Sequence, residues 1–188
     1  PQKIAVADLE SGAEFSYREL HLRANEMVHL LKEEYKEGDR VAVLLEHSID
    51  LIALFSACQR LGLILVPLNY KLSTPEIFQQ LKDCEPSLVI YSEFFSSPIS
   101  LIKDSFETIT LADFNHQVSK FIGQELILLN EIKEELPVFL FYTSGTTAEP
   151  KGVLYTNKML FWNSLNTTMQ LGISNQDTTL SILPPYHT

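Results

Sequence analysis

Thr143, Ser144, Thr146 and Thr147 place four hydroxyls within five residues around Gly145, and Lys151 follows directly after Pro150. Hydroxyls donate and accept hydrogen bonds, glycine lets a ligand come close to the backbone, and a lysine ammonium is a mobile point charge suited to phosphate. Glu149 is the one acid in this stretch. Many donors with one cation suit a polyphosphate. An ordinary Ser/Thr-rich turn would account for Thr-Ser-Gly-Thr-Thr alone, but the appended Pro-Lys-Gly turns the reading to phosphate. Two other phosphate loops are excluded. The Walker pattern ends in Gly-Lys-Ser/Thr, whereas Lys151 stands between Pro150 and Gly152, which removes a phosphate-loop kinase. The chain has no GxGxxG, so a Rossmann dinucleotide site has no support.

A loop of this kind needs a rigid base. The apolar run from Pro137 to Tyr142 reads as a buried strand, Val153 to Tyr155 as a second, and Asn157 to Leu171 as a helix closed by Gly172. A polar loop after a buried strand of an α/β sheet lies at the carboxyl edge, where ligands bind. Upstream, Phe15 to Tyr35 is helical in spacing, with Ser16 as cap and Glu19 three residues on. Gly38-Asp39 turns the chain into a strand at Val41 to Leu45. A helix from Ser48 to Leu61 stops at Gly62, and Leu63 to Leu68 is the next strand. Thr74 as cap with Pro75 in the first turn starts a helix to about Cys84, followed by a strand at Pro86 to Ser92. From Glu93 to Glu135 the signals weaken to short strands and edge helices, among them Thr-Ile-Thr-Leu-Ala-Asp-Phe and Glu-Leu-Ile-Leu-Leu. Thr178 to Leu183 reads as a last strand. Repeated strand–helix–strand units predict an α/β fold, a largely parallel sheet flanked by helices with right-handed crossovers. With no repeat or linker, residues 1–188 are expected to form a single domain.

The bulk composition limits the partners. The chain has 188 residues, 45% hydrophobic, and a formal charge of -10. Nucleic acid and anionic membranes both call for clustered Lys and Arg, so neither is expected as a partner. The most apolar window, Ile49 to Leu68, is split by Gln59, Arg60 and Gly62 into halves too short to span a bilayer. No signal-peptide pattern opens the chain. Cys58 and Cys84 lack CxxC spacing and read as reduced core residues of a cytoplasmic protein.

Tyr-Thr-Ser-Gly-Thr-Thr-Ala-Glu-Pro-Lys-Gly-Val, residues 142–153, resembles the phosphate-binding signature of the adenylate-forming superfamily. That superfamily includes acyl-CoA synthetases, aryl-CoA ligases, luciferases and peptide-synthetase adenylation domains. The stretch departs from the pattern at Ala148, where the family usually has glycine. Phe-Ser-Tyr-Arg-Glu-Leu, Gly-Asp-Arg-Val-Ala-Val-Leu-Leu, Arg-Leu-Gly-Leu-Ile-Leu-Val-Pro-Leu-Asn and the closing Leu-Pro-Pro-Tyr-His-Thr carry the resemblance along the whole chain. It implies an N-terminal subdomain of an enzyme that activates a carboxylic acid with ATP as an acyl-adenylate and passes the acyl group to coenzyme A. Thr143, Ser144, Gly145, Thr146, Thr147 and Lys151 would hold the β- and γ-phosphates, with Thr143 also beside Mg²⁺. His187 matches the histidine typical of acyl- and aryl-CoA synthetases, so the resemblance assigns it a catalytic place and points to a CoA ligase, with fatty-acid metabolism as one setting. An amino-acid adenylation domain and a non-catalytic scaffold that keeps the fold are the alternatives, the latter supported by Ala148. The family's adenine, ribose and adenylation-lysine motifs do not occur. The chain is therefore expected to be an excerpt of a longer enzyme, inactive by itself.

Overall fold

The computed structural model describes residues 2–9, 11–127, 132–143 and 151–186. Helix α1 (Tyr17–Leu31) starts as its sequence predicts: the Ser16 hydroxyl accepts from the Glu19 N–H at 3.2 Å, and the Glu19 carboxylate accepts from the Ser16 N–H at 2.8 Å. Its buried residues Ala24, Met27, Val28 and Leu31 recur at helical spacing. Helix α2 (Ile49–Leu61) is capped by Ser48 and ends at Gly62, whose φ of 69° is left-handed. A Cβ there would also lie 2.9 Å from Glu37 Cγ. Helix α3 (Thr74–Cys84) is capped by Ser73, one residue before the expected Thr74. The cause is the position of Glu76, whose carboxylate accepts from the Ser73 N–H at 2.8 Å and hydroxyl at 2.6 Å. That places Thr74 and Pro75 in the first turn.

These helices cover a six-stranded sheet. In chain order after a small antiparallel pair, β1 (Ile4–Ala7) and β2 (Glu14–Ser16), come β3 (Arg40–Leu44), β4 (Ile64–Pro67), β5 (Leu88–Tyr91), β6 (Thr108–Thr110), β7 (Pro137–Thr143) and β8 (Lys151–Thr156). The spatial order is β6-β5-β3-β4-β7-β8, parallel throughout except that β8 runs antiparallel to β7. The expected architecture is present. Strand β3 has both edges paired, Val41 opposite Leu65 on one side and Leu88 on the other. Its side chains alternate between two cores. Val41 and Val43 join Met27, Leu54 and Ala57 of α1 and α2, with Phe114 of α5 (Leu111–Val118). Ala42 and Leu44 join Ile77 and Leu81 of α3, with Ile99 of α4 (Ser96–Ser100).

The weak stretch after Glu93 thus contains α4, β6 and α5, the last capped by Thr110. Within Glu-Leu-Ile-Leu-Leu, residues 125–127 have no regular structure, and the rest lies outside the described residues. Cys58 and Cys84 are free and buried, and burial pushes the Cys58 thiol up to about 12. Among the described residues no helix is long and apolar enough to cross a membrane.

Two elements differ from expectation. The β1–β2 pair has no strong apolar pattern of its own. The strand expected at Thr178 to Leu183 does not form, and Leu180, Ile182 and Leu183 are 67%, 74% and 66% exposed. A strand is stable when another strand satisfies its backbone, and this segment has no such neighbour among the described residues. Helix α6 (Asn157–Leu171) matches its predicted bounds, yet Phe161 and Trp162 are 61% and 53% exposed.

Burial separates the two kinds of apolar residue. Leu54→Ala should destabilise the chain by about 2–5 kcal/mol, as for a buried leucine, whereas Phe161→Ala should change stability by less than about 0.5 kcal/mol. Urea unfolding monitored by circular dichroism is the check, and comparable losses at both positions would contradict this burial assignment.

Candidate functional site

Strand β7 ends at Thr143 and β8 begins at Lys151, and these two residues are direct cross-strand partners. Residues opposed in an antiparallel pair lie on one face with Cβ atoms about 4.5–5.5 Å apart. The sheet therefore brings a hydroxyl and an ammonium together at the carboxyl end of a parallel strand, both exposed. Among the described residues Lys151 has no ion-pair partner, whereas Lys158 lies 3.0 Å from Glu135 and Lys133 2.7 Å from Glu37. A cation beside a hydroxyl, with no carboxylate paired to it among the described residues, can receive an anion. Ser144, Gly145, Thr146 and Thr147, together with Ala148, lie in the connection outside the described residues, and so does His187.

The hairpin is held from both faces. Phe139 stacks on Phe55 of α2 with ring centroids 4.5 Å apart, and Phe141 packs against Phe139 at 4.9 Å. Behind the hairpin, the first residue of α6, Asn157, is buried and fully engaged. Its Oδ1 accepts from Gln59 Nε2 at 2.7 Å, and its Nδ2 donates to the Lys133 carbonyl at 3.0 Å. On the opposite face the Tyr142 hydroxyl lies 2.6 Å from Asp83 Oδ2 and 3.1 Å from the Gln80 carbonyl, both on α3. Burial, then the Asp83 bond, holds this phenol well above its ordinary pKa, so it remains a donor.

Gly152 stands opposite Tyr142. A Cβ there would fall 2.9 Å from Leu140 Cδ1 and 3.5 Å from Tyr142 Cε1. The glycine of Pro-Lys-Gly thus leaves room for the Leu140 and Tyr142 side chains and serves no left-handed φ. Tyr142 and Gly152 were visible as parts of a pattern, but nothing local in the sequence marked Asp83 or Asn157 as their supports.

The loops after β3 and β4 reach the same edge of the sheet. His47, exposed after β3, hydrogen-bonds the Leu183 carbonyl through Nε2. Tyr186, only 5% exposed, packs edge-on against Tyr70 at 5.0 Å, and Tyr70 stacks on Phe95 at 5.4 Å. The segment leading to His187 is therefore anchored on the loop that follows β4.

The sequence profile of AMP-binding enzymes matches residues 1–188. The chain belongs to the AMP-binding enzyme family. It is 33% identical over 156 residues to an indoleacetate–CoA ligase of Aromatoleum aromaticum, an overlap of 78% of this chain and 31% of that protein. A 2-succinylbenzoate–CoA ligase of Oceanobacillus iheyensis is 32% identical over 189 residues, 100% of this chain and 38% of its own length. Among solved structures, the o-succinylbenzoate coenzyme A synthetase of Bacillus subtilis in complex with ATP and a magnesium ion superposes with a TM-score of 0.80 at 27% identity, covering 100% of this chain and 48% of that one. The chain thus spans between 31% and 38% of these curated relatives.

Adding a methyl at Gly152 should press on the buried Leu140 side chain. Gly152→Ala is expected to destabilise by about 1–3 kcal/mol, the usual range for overpacking, and to cost less when combined with Leu140→Ala. Denaturant unfolding of both singles and the double variant tests this. Additive losses would show that the contact with Leu140 is not the cause.

Proposed function

We propose that this chain is the N-terminal portion, as one α/β unit, of an AMP-forming acid–thiol ligase that activates a carboxylate as acyl-AMP and transfers it to coenzyme A. The observation that carries the reading is the Thr143–Lys151 pair at the carboxyl edge of the sheet, in a chain whose relatives are named as CoA ligases. A carboxylate oxygen attacks the α-phosphorus of ATP. The bond from that phosphorus to the bridging oxygen of the β-phosphate breaks, and pyrophosphate leaves with its electron pair. Negative charge on the leaving group grows along this path. Donors fixed where that charge develops stabilise the transition state more than bound ATP. Lys151 supplies a full positive charge there, Thr143 a hydroxyl, and Ser144, Gly145, Thr146 and Thr147 the remaining donors.

Magnesium takes oxygen ligands and is commonly carried by substrate phosphates with few protein ligands. An exposed Thr143 hydroxyl fits that role, and among the described residues no cluster of three or more His, Cys, Asp or Glu forms an alternative cage. The ion would offset charge on the phosphate oxygens. His187 is given a catalytic place in this reading, and Tyr186, directly before it in the chain, is buried against Tyr70. The exposed side of α6 is assigned to contact with the remainder of the catalytic domain, so the 188 residues alone should complete no turnover. A cytoplasmic setting is part of the same proposal.

The full-length protein, offered fatty, aryl and amino acids with ATP and CoA, should form CoA thioesters with a carboxylic acid of the first two classes. Adenylation confined to amino acids, without thioester, would overturn the ligase reading. Lys151→Ala tests the phosphate role. Loss of a charge-assisted contact to developing charge costs on the order of 2–4 kcal/mol. The variant should therefore lower kcat/KM for ATP by roughly 30- to 1000-fold, at tenfold per 1.4 kcal/mol. Its stability should change by no more than about 0.5 kcal/mol, as at other exposed positions. Steady-state kinetics and thermal denaturation together check both halves, and adenylation at the wild-type rate would remove Lys151 from the site.

A further inference from the structure

We propose that Asp83 is a positioning residue for the Thr143–Lys151 pair, acting through the hydroxyl of Tyr142; the functional part of this proposal rests on the phosphate role given above. Asp83 lies in the last turn of α3 and Tyr142 immediately precedes Thr143. A phenol has one proton to donate. Of the two acceptors within reach, the Asp83 carboxylate is charged and closer, at 2.6 Å against 3.1 Å for the Gln80 carbonyl. Fixing the Tyr142 ring fixes the peptide that presents the Thr143 hydroxyl.

The end of β7 needs such a tie. Its register with β4 is set at Leu65 and Phe139, and β4 closes at Pro67, which has no N–H with which to extend a ladder. From there to Thr143 the strand is paired on its other side with β8, the edge strand. The ring of Tyr142 lies beside Leu140, against the α3 side of the sheet, and Gly152 leaves it space on the facing strand. Asp83 itself is exposed. Its bond therefore adds little to global stability, and its effect is concentrated on where the end of the strand sits.

The test uses the full-length protein, ATP, labelled pyrophosphate and the acid that yields a thioester. Tyr142→Phe and Asp83→Ala should each lower kcat for acid-dependent pyrophosphate exchange about tenfold, as expected for a displaced charge-stabilising group. The double variant should be no worse than the more impaired single, and Asp83→Asn, which keeps an acceptor, should fall between Asp83→Ala and wild type. Thioester formation from supplied acyl-adenylate and CoA involves no pyrophosphate and should be unchanged. Wild-type exchange in both singles, multiplied losses in the double, or parallel loss of both half-reactions would overturn the proposal. Amide hydrogen exchange separates this failure from failure of the ligase reading. If the wild-type protein exchanges pyrophosphate with no acid, that reading falls. Asp83 is then judged by whether Asp83→Ala speeds amide exchange at residues 142, 143, 151 and 152 while leaving β3 protected. Unchanged protection at those four residues would refute the positioning role.

Discussion

The pairing of β7 against β4, registered at Leu65 and Phe139, is the joint on which the site depends. Everything from β3 to β6 could form a doubly covered parallel sheet without it, since β3 already has partners on both edges. What the joint adds is β7, and through β7 the antiparallel β8 and helix α6. The two strands are far apart in the chain, so closing this contact costs loop entropy that local hydrogen bonds alone would offset poorly. Apolar packing makes up the difference. Phe139 and Phe55 stack across the joint, and Phe141 continues the aromatic row toward Tyr155 at 5.5 Å. Aromatic pairs of this kind are worth about 0.5–1.5 kcal/mol beyond the area they bury.

Polar anchors then fix what the aromatic packing leaves free to slide. Asn157 is buried with both ends of its amide engaged, one by α2 and one by the segment before β7. Leaving such a group unpaired costs about 1–3 kcal/mol, so positions of the hairpin that break these bonds are penalised. A second network does the same for the helical layer. Arg23 of α1 donates to Asp50 of α2 at 3.0 Å and to Asn115 of α5 at 2.7 Å, while Asn115 donates to Asp50 at 2.6 Å. Three helices are thereby held in one arrangement over β3, and α2, which carries Phe55 and Gln59, is among them.

The sequence made the local rules legible and the distant ones invisible. Apolar runs bounded by Gly38, Ser48 and Gly62 placed β3, α2 and β4 to within a residue or two, and Asn157 to Leu171 matched α6 at both ends. The cap of α3 was misplaced by one residue, because both Ser73 and Thr74 are good caps and the decision rests with Glu76. Thr178 to Leu183 failed for a different reason: an apolar pattern records a preference for burial, not the presence of a strand to pair with. Of the candidate site, the Thr143–Lys151 pair was legible as part of a motif, but its register was not. Asp83 and Tyr142 are separated by 59 residues, and no short-range signal couples them.

The two-residue period of a strand explains how the end of β7 can be both anchored and available. Tyr142 and Gly152 point to the α3 side, where a ring and a hydrogen bond to Asp83 fill the space. Thr143 and Lys151, one residue on, point to the other side and are exposed. The side chains that fix the backbone are therefore different from those offered to a ligand, though they are adjacent in sequence. A one-residue slip of β8 against β7 would turn Lys151 to the α3 side, while Tyr142, held on β7, would keep its place. The slip would also replace Gly152 opposite Tyr142 with a residue carrying a Cβ, at a position where a Cβ falls 2.9 Å from Leu140 Cδ1. Gly152, next to the candidate phosphate site, thus favours the register that sets Lys151 opposite Thr143.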